Sequence, residues 1–403
     1  MNRRRMATIA AIAAIAPLAL TACSGGGTSA GGDTLTILDY YNNEPDKTLV
    51  QTGLDTCASE LGVKITRETV PGADLMTKVL QQASSQTLPD VLMLDNPEVQ
   101  QIAATGALAD LGDYGVTADG FAQGITDASS YEGRLYGLAP VVNTIAIFYN
   151  TDILSAAGIA PPTTWDELKS AATALTTGDQ YGIAFSAPAN YEGTWQFLPA
   201  MWTNGGDEKD LTSPEVAEAL QLWVDLVDSG SASESVINWT QSDVKDQFVA
   251  GKAAMIVNGP WNIPSLNESP ELHWDVVQFP VNKEGQTPIA PLGGEVWTAP
   301  VSGDDAQQEK AAKFVECLSS DENQLAWAEA RQMVPTKIAL ASEFKADNPN
   351  LAAFVDQVAN ARSRTGELGE EWPDAATVIY EAVQLALTHQ APADTAFEQA
   401  EDQ

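Results

Sequence analysis

Apolar runs in this chain stop abruptly at polar or aromatic residues, and the stops are as informative as the runs. Thr34-Leu35-Thr36-Ile37-Leu38 ends in Asp39-Tyr40-Tyr41-Asn42-Asn43, and Asp90-Val91-Leu92-Met93-Leu94 ends in Asp95-Asn96. Ala253 to Val257 ends at Asn258-Gly259-Pro260, a turn that presents Trp261. Short runs of this kind, bounded by turn residues, read as buried strands. Between them lie stretches of helical period, reaching Leu61 and covering Ala73 to Ser84, with further strands at Val63 to Glu68 and Tyr181 to Ser186. Thr164, with Glu167 three residues on, forms a capping box that opens another helix. Longer helices are predicted over Ala306 to Leu318 and within Leu351 to His389. Alternation of strand and helix predicts an α/β fold.

In open α/β sheets, ligands sit in the crevice outside the carboxyl ends of the strands. The residues at the stops therefore become candidates. Tyr40, Tyr41, Asn42 and Asn43 supply ring faces and amides, the groups that bind C–H surfaces and hydroxyls. Asn43 reads equally well as a helix cap. Asp95 reads as a carboxylate that accepts hydroxyl bonds, with helix capping as the lesser alternative. Trp261 is a stacking platform or the plug of a domain interface. Trp202, Trp223 and Trp239 fall at helix or helix-adjacent positions and read as core.

The first residues change the picture from a free domain to an exported one. Arg3-Arg4-Arg5, an apolar stretch from Ala7 to Leu20 and Leu20-Thr21-Ala22-Cys23 form an export signal over 1–22, too short to span a bilayer. Cys23 sits where a bacterial lipobox places the lipidated residue, and 23–32 is a Gly/Ser linker. Removal of the signal leaves 17 basic against 55 acidic residues, a formal charge of −38. Such a polyanion is a poor partner for nucleic acid, and the scattered acids read as solvating surface. About 380 residues exceed what one core usually supports, so two lobes are expected. Cys57 and Cys317 remain in an oxidising compartment, either bridged or as two buried thiols. No cofactor or metal spacing is present, and His273 and His389 read as structural.

The stretch F-x-x-G-K-A-A-M-x-x-N-G-P-W, from Phe248 to Trp261, closely resembles the corresponding part of the maltodextrin- and oligosaccharide-binding proteins that feed ABC importers. Other landmarks follow in the same order: L-P-D-V-L-M-L-D before Asp95, Gly106 to Leu111, Tyr136 to Pro140, P-x-T-W-D-E-L around Trp165, and Met333-Val334-Pro335-Thr336. The resemblance implies a two-lobed periplasmic-binding-protein type II fold with a hinge and an inter-lobe ligand cleft. It implies lobe 1 over 33–142 plus 292–332, and lobe 2 over 143–291 plus 333–403, with crossings near Asn143 and Leu292. Asn143, Gly293, Gly294 and Glu295 would line the cleft there. The segment Pro188 to Trp195 resembles an aromatic loop of the second lobe, giving Asn190, Tyr191 and Trp195, with Glu192 as a polar neighbour. Trp372 stands where relatives place an aromatic against the sugar, and the family layout puts Cys57 and Cys317 in one lobe.

The function so implied is extracytoplasmic capture of a carbohydrate, a di- or oligosaccharide, by a membrane-anchored monomer. Its partners would be ABC permease subunits with a separate ATPase. Two rivals stand beside it: a binder of another solute such as a polyamine, and an extracellular carbohydrate-active enzyme with a carboxylate pair. Few carboxylates at the strand ends favour a neutral polyhydroxy ligand.

Overall fold

A computed structural model describes residues 34–402. The export signal, Cys23 and the linker lie outside the described residues. Thr34–Asp402 folds as a two-lobed α/β protein with one open sheet in each lobe.

In the first sheet the strand order is β2-β1-β3-β12-β6. β1 (Thr34–Asp39), β2 (Lys64–Thr69) and β3 (Val91–Asp95) run parallel, whereas β12 (Glu295–Thr298) is antiparallel to both β3 and β6 (Gly137–Leu138). Val91 to Leu94 are wholly buried, as a continuous apolar run in a sheet covered on both faces should be. The second sheet has the order β11-β8-β10-β9, from β8 (Ala146–Asn150), β9 (Tyr181–Ala184), β10 (Ala253–Asn258) and β11 (Trp274–Val277). β4 (Ser130–Tyr131) and β5 (Arg134–Leu135) form a small hairpin.

Two cores hold the molecule. One joins the first sheet to its helices and continues along one face of the second sheet through Phe148 and Ile256. The other covers the opposite face of the second sheet, where Trp202, Trp223, Phe197 and Trp372 are fully buried. Trp202 and Trp223 are thus core, while Trp239 is partly buried and touches both. The segment after 333 does not pass into the second core at once. Phe344, Leu351 and Phe354 pack into the first, and the chain joins the second from Leu368 and Trp372 onward, through to Phe397 and Ala400.

The chain crosses between lobes three times, and the crossings are stitched together. β7 (Val141–Val142) pairs with β13 (Val334–Pro335), and Asn143 exchanges both backbone hydrogen bonds with Gly293, at 3.1 and 2.8 Å. The crossing at β13 accompanies the two expected near Asn143 and Leu292. Cys57 and Cys317 are joined by a disulfide that ties the helix Asp46–Leu61 to the helix Asp305–Leu318.

Candidate functional site

Because β12 runs antiparallel to β3, its first residue lies beside the last residue of β3: Glu295 pairs in register with Asp95. The carboxyl end of β1 emerges at the same edge. Across from it stand the end of β10 and the start of the helix Tyr191–Thr203. A cleft of about 350 Å³ lies between them.

From the first lobe come Tyr40, Tyr41, Asn42, Asn43, Asp46, Asp95, Glu295 and Arg331. Asp39 is fully buried and shapes this edge: Arg67 grips it at 2.6 and 2.8 Å, and it accepts the backbone N–H of Tyr41 at 2.8 Å. Tyr40 donates its hydroxyl to Glu295 at 2.6 Å, while the Tyr41 ring lies 4.4 Å from the Arg331 guanidinium. Burial and the neighbouring Glu295 carboxylate raise the Tyr40 pKa, so it remains a protonated donor. Arg331 donates to Asp46 at 2.9 Å; burial disfavours its charge, but Tyr41, Asp46 and Glu295 outweigh that and hold it cationic. Asn42 and Asn43 have no side-chain hydrogen bond within the protein among the described residues, so their amides are available. Asn43 does not cap the next helix, whose N-cap is Pro45.

From the second lobe come Tyr191, Glu192, Trp195, Gln241, Trp261 and Arg364. Asn258 is fully buried, donates to the Gln241 carbonyl at 2.9 Å and accepts the Gly259 N–H, fixing the turn that carries Trp261. Trp261 packs against both cores and still lines the cleft. Glu192 accepts from Ser186 at 3.1 Å and from the Gln241 backbone, and burial raises its pKa despite these bonds. Asn143, Gly293, Gly294 and Met333 form the floor at the crossings. A Cβ on Gly293 would lie 2.0 Å from Asn143 Oδ1 and 2.7 Å from the Trp195 ring, so the close approach there requires glycine.

Two expected site residues are elsewhere. Asn190 begins a helix instead of lying in a loop: its side chain accepts the Glu192 N–H at 2.9 Å and caps Tyr191–Thr203. Trp372 is fully buried in the second core, behind the cleft wall, with its ring 5.7 Å from Tyr191. Asp95 lines the cleft without capping its helix, and Arg364 grips it through both oxygens, at 2.8 and 2.5 Å. His273 and His389 are surface residues paired with Asp152 and Asp228.

Sequence reasoning missed Asp46, Gln241, Arg331, Met333 and Arg364. The usable signal was scarcity: in a chain with 20 basic residues, arginines beside the crossings and outside any acidic helix face are conspicuous. With ring faces on both walls and fixed donors and acceptors between them, the cleft is built to hold a polyhydroxy solute by stacking and hydrogen bonds.

Residues 54–353 match the family described as bacterial extracellular solute-binding protein. A maltooligosaccharide ABC transporter solute-binding lipoprotein of Streptococcus pneumoniae is 25% identical over 94% of this chain and 92% of its own. Among solved structures, the cyclic α-maltosyl-1,6-maltose binding protein of Arthrobacter globiformis superposes with a TM-score of 0.77 at 27% identity, covering 92% of this chain and 97% of its own. The GacH receptor of Streptomyces glaucescens, solved unliganded and with acarbose, gives 0.80 at 26% identity, covering 92% and 96%.

Proposed function

We propose that this chain, which belongs to the bacterial extracellular solute-binding protein family, captures a neutral di- or oligosaccharide between its lobes and delivers it to the permease of an ABC importer. The observation that carries this reading is that both walls offer aromatic faces to one cleft, Tyr40 and Tyr41 from one side and Tyr191, Trp195 and Trp261 from the other. A pyranose packs its C–H faces on such rings while fixed polar groups take its hydroxyls. Relatives named for maltooligosaccharide and for a cyclic maltosyl-maltose support the same solute class.

Lobe 1 comprises 33–142 and 292–332, and lobe 2 comprises 143–291 and 333–403, with the crossings as hinge. A solute that touches both walls only when they meet stabilises the closed form, and the permease reads that closed surface. Trp261, Trp195, Tyr191, Tyr40 and Tyr41 stack on sugar rings; Asn42, Asn43, Asp95, Asn143 and Glu295 bond hydroxyls, and Gly293 and Gly294 let the chain approach. The chain is a monomer, anchored on the extracytoplasmic face of the cell membrane through lipid on Cys23, and a separate ATPase drives transport.

The protein binds without catalysis: Asp95 is held by Arg364, Glu295 by Tyr40, and Glu192 by Ser186 and the Gln241 backbone. These commitments also weaken the polyamine reading, because a dication needs carboxylates that are not already paired. The test is a thermal-shift screen of the chain from Ser24 onward against sugars from mono- to tetrasaccharides, polyamines and dipeptides, with products checked by chromatography. A sugar at 100 times its dissociation constant adds about 2.7 kcal/mol to stability. Stabilisation by a polyamine alone, or appearance of cleaved sugar, would reverse the reading.

A further inference from the structure

Asp95 terminates β3 of the first sheet, yet the cation that holds it belongs to the other lobe. Arg364 lies between the helices Ala352–Val358 and Trp372–Leu387, with its guanidinium 4.7 Å from the Trp195 ring and 5.5 Å from the Trp372 ring. Both indoles are part of the second core. The Arg364 side chain is 4% exposed, whereas the Asp95 side chain is 31% exposed and faces the cleft.

We propose that the Arg364–Asp95 pair is an inter-lobe latch, in which Arg364 positions Asp95 for the ligand and stabilises the closed arrangement before any ligand arrives. The inference rests on the reading of a cleft that opens and closes between the lobes. An ion pair within one lobe is indifferent to hinge motion; a pair across the lobes exists only while they are close, so it adds its whole energy to the closed side. The fork geometry and indole sandwich suit arginine, whose planar cation bonds a carboxylate through two N–H groups while stacking on aromatic faces.

The segment carrying Arg364 is itself held firmly. Arg362 donates its backbone N–H to Ala290 at 2.9 Å and accepts that of Leu292 at 2.8 Å, so the arm is sewn to a crossing. Further along, the turn Gly369–Glu371 meets the first-lobe helix Glu98–Ala104, a second contact across the lobes that belongs to the closed arrangement. There a side chain at Gly369 would stand 3.3 Å from Gln100 Oε1, and its φ of +58° independently favours glycine.

The latch also sets what Asp95 can accept. A carboxylate offers about four lone-pair positions; two are taken by Arg364 and one by the Asn96 N–H at 2.9 Å. What remains suits one hydroxyl donor, and with its charge already matched the carboxylate has no excess attraction for an amine. The closed population formed this way raises apparent affinity, because affinity scales with the fraction of molecules competent to bind.

The test is single-molecule energy transfer on the mature, full-length protein in detergent, with dyes on Gln81→Cys in the first lobe and Asp179→Cys in the second. Without ligand, the wild-type protein shows a closed population, and Arg364→Gln shifts the open-to-closed ratio roughly tenfold toward open. Asp95→Asn does the same without disturbing the buried indoles, and Arg364→Lys, which keeps the charge but not the fork, falls between. Saturating maltotriose restores the closed distance in Arg364→Gln at a weaker dissociation constant. A ligand-free wild type with no closed population, or folded Arg364→Gln and Asp95→Asn proteins with the wild-type distribution, would overturn the latch. The ligand-free readout needs no sugar, so failure of every sugar to bind would overturn the functional reading while leaving the latch result intact.

Discussion

Gly259 has no side chain to spare: a Cβ there would lie 2.0 to 2.5 Å from three atoms of the Trp261 ring. Its backbone is extended, with φ −113°, so the requirement is one of space and not of conformation. Trp261→Ala removes a stacking face and weakens sugar binding by about 1–3 kcal/mol. Gly259→Ala never touches the ligand but displaces the ring, and calorimetric titration should find a loss in the same direction with the fold intact. Unchanged affinity in both would remove Trp261 from the site. Glu98 gives a second residue-scale expectation. Burial and the neighbouring Asp95 push its carboxyl from the ordinary 4.5 up to about 8, although its contact with the Asp95 N–H and nearby Arg364 oppose the rise. A folded pKa above the unfolded one means that the native state holds a proton the unfolded state has lost. This contribution is therefore fully present below pH 4.5 and disappears as pH rises through 8. Glu98→Gln removes the dependence: denaturation between pH 5 and 9 should show wild type losing about 2–4 kcal/mol relative to the variant. Parallel curves would mean Glu98 is ionised throughout.

Among the elements, those ending at the cleft were the most legible in sequence. Leu92 to Leu94 and Ala254 to Val257 are buried on both sides, which is why each reads as an unbroken apolar run with its polar stop at the strand end. The capping box of Thr164 and Glu167 is present in both directions. The start of the helix Tyr191–Thr203 was not legible, because Gly193 to Thr203 are all buried and a helix buried all round, with Thr194 and Gln196 inside as well, shows no polar face of 3.6-residue period to detect. Pro188, Asn190 and Gly193 then read as a loop; in fact Asn190 caps, and Gly193 is required where a Cβ would lie 2.2 Å from the Pro188 carbonyl oxygen. Arg331 and Arg364 escaped for another reason: a sequence pattern shows which face of an element is buried, not which distant element it meets. The helix Asp46–Leu61 links stability to this hidden half of the site. Its first residue holds Arg331 and its C-terminal part carries the Cys57–Cys317 bridge, which closes a loop of 260 residues. Breaking the bridge with a reductant, or with Cys57→Ser and Cys317→Ser together, should lower stability by about 2–5 kcal/mol. Sugar affinity should fall with it if the helix start shifts relative to Arg331; a lower melting temperature with unchanged affinity would confine the bridge to stability.

For the molecule as a whole, closure of the lobes on a solute, as proposed, would bend the three crossings together while keeping the cleft floor in place. Asn96 is wholly buried and donates its amide to the carbonyls of Leu292 at 3.1 Å and Gly294 at 3.2 Å, pinning one crossing to the end of β3. On the other side, Thr144 donates to the Pro291 carbonyl at 2.8 Å. Between these anchors Gly294 has φ +133°, a conformation that L residues rarely adopt, and a Cβ there would lie 2.9 Å from the Val141 carbonyl oxygen. Gly294→Ala must therefore move either its own crossing or that of Val141, and both carry residues of the cleft floor. The strain falls on the rim of the first core, at Val141 and Val142, so each lobe should keep its secondary structure and cooperative unfolding. What changes is the register in which the two walls meet. We expect sugar affinity to fall at least tenfold, about 1.4 kcal/mol, and the ligand-induced decrease in radius of gyration seen by small-angle scattering to shrink or vanish. A drop in affinity with full compaction would place the effect in the floor contacts, whereas loss of compaction with modest change in affinity would place it in the hinge. Wild-type behaviour in both would mean that the crossings bend elsewhere, with β7 and β13 as the next place to look.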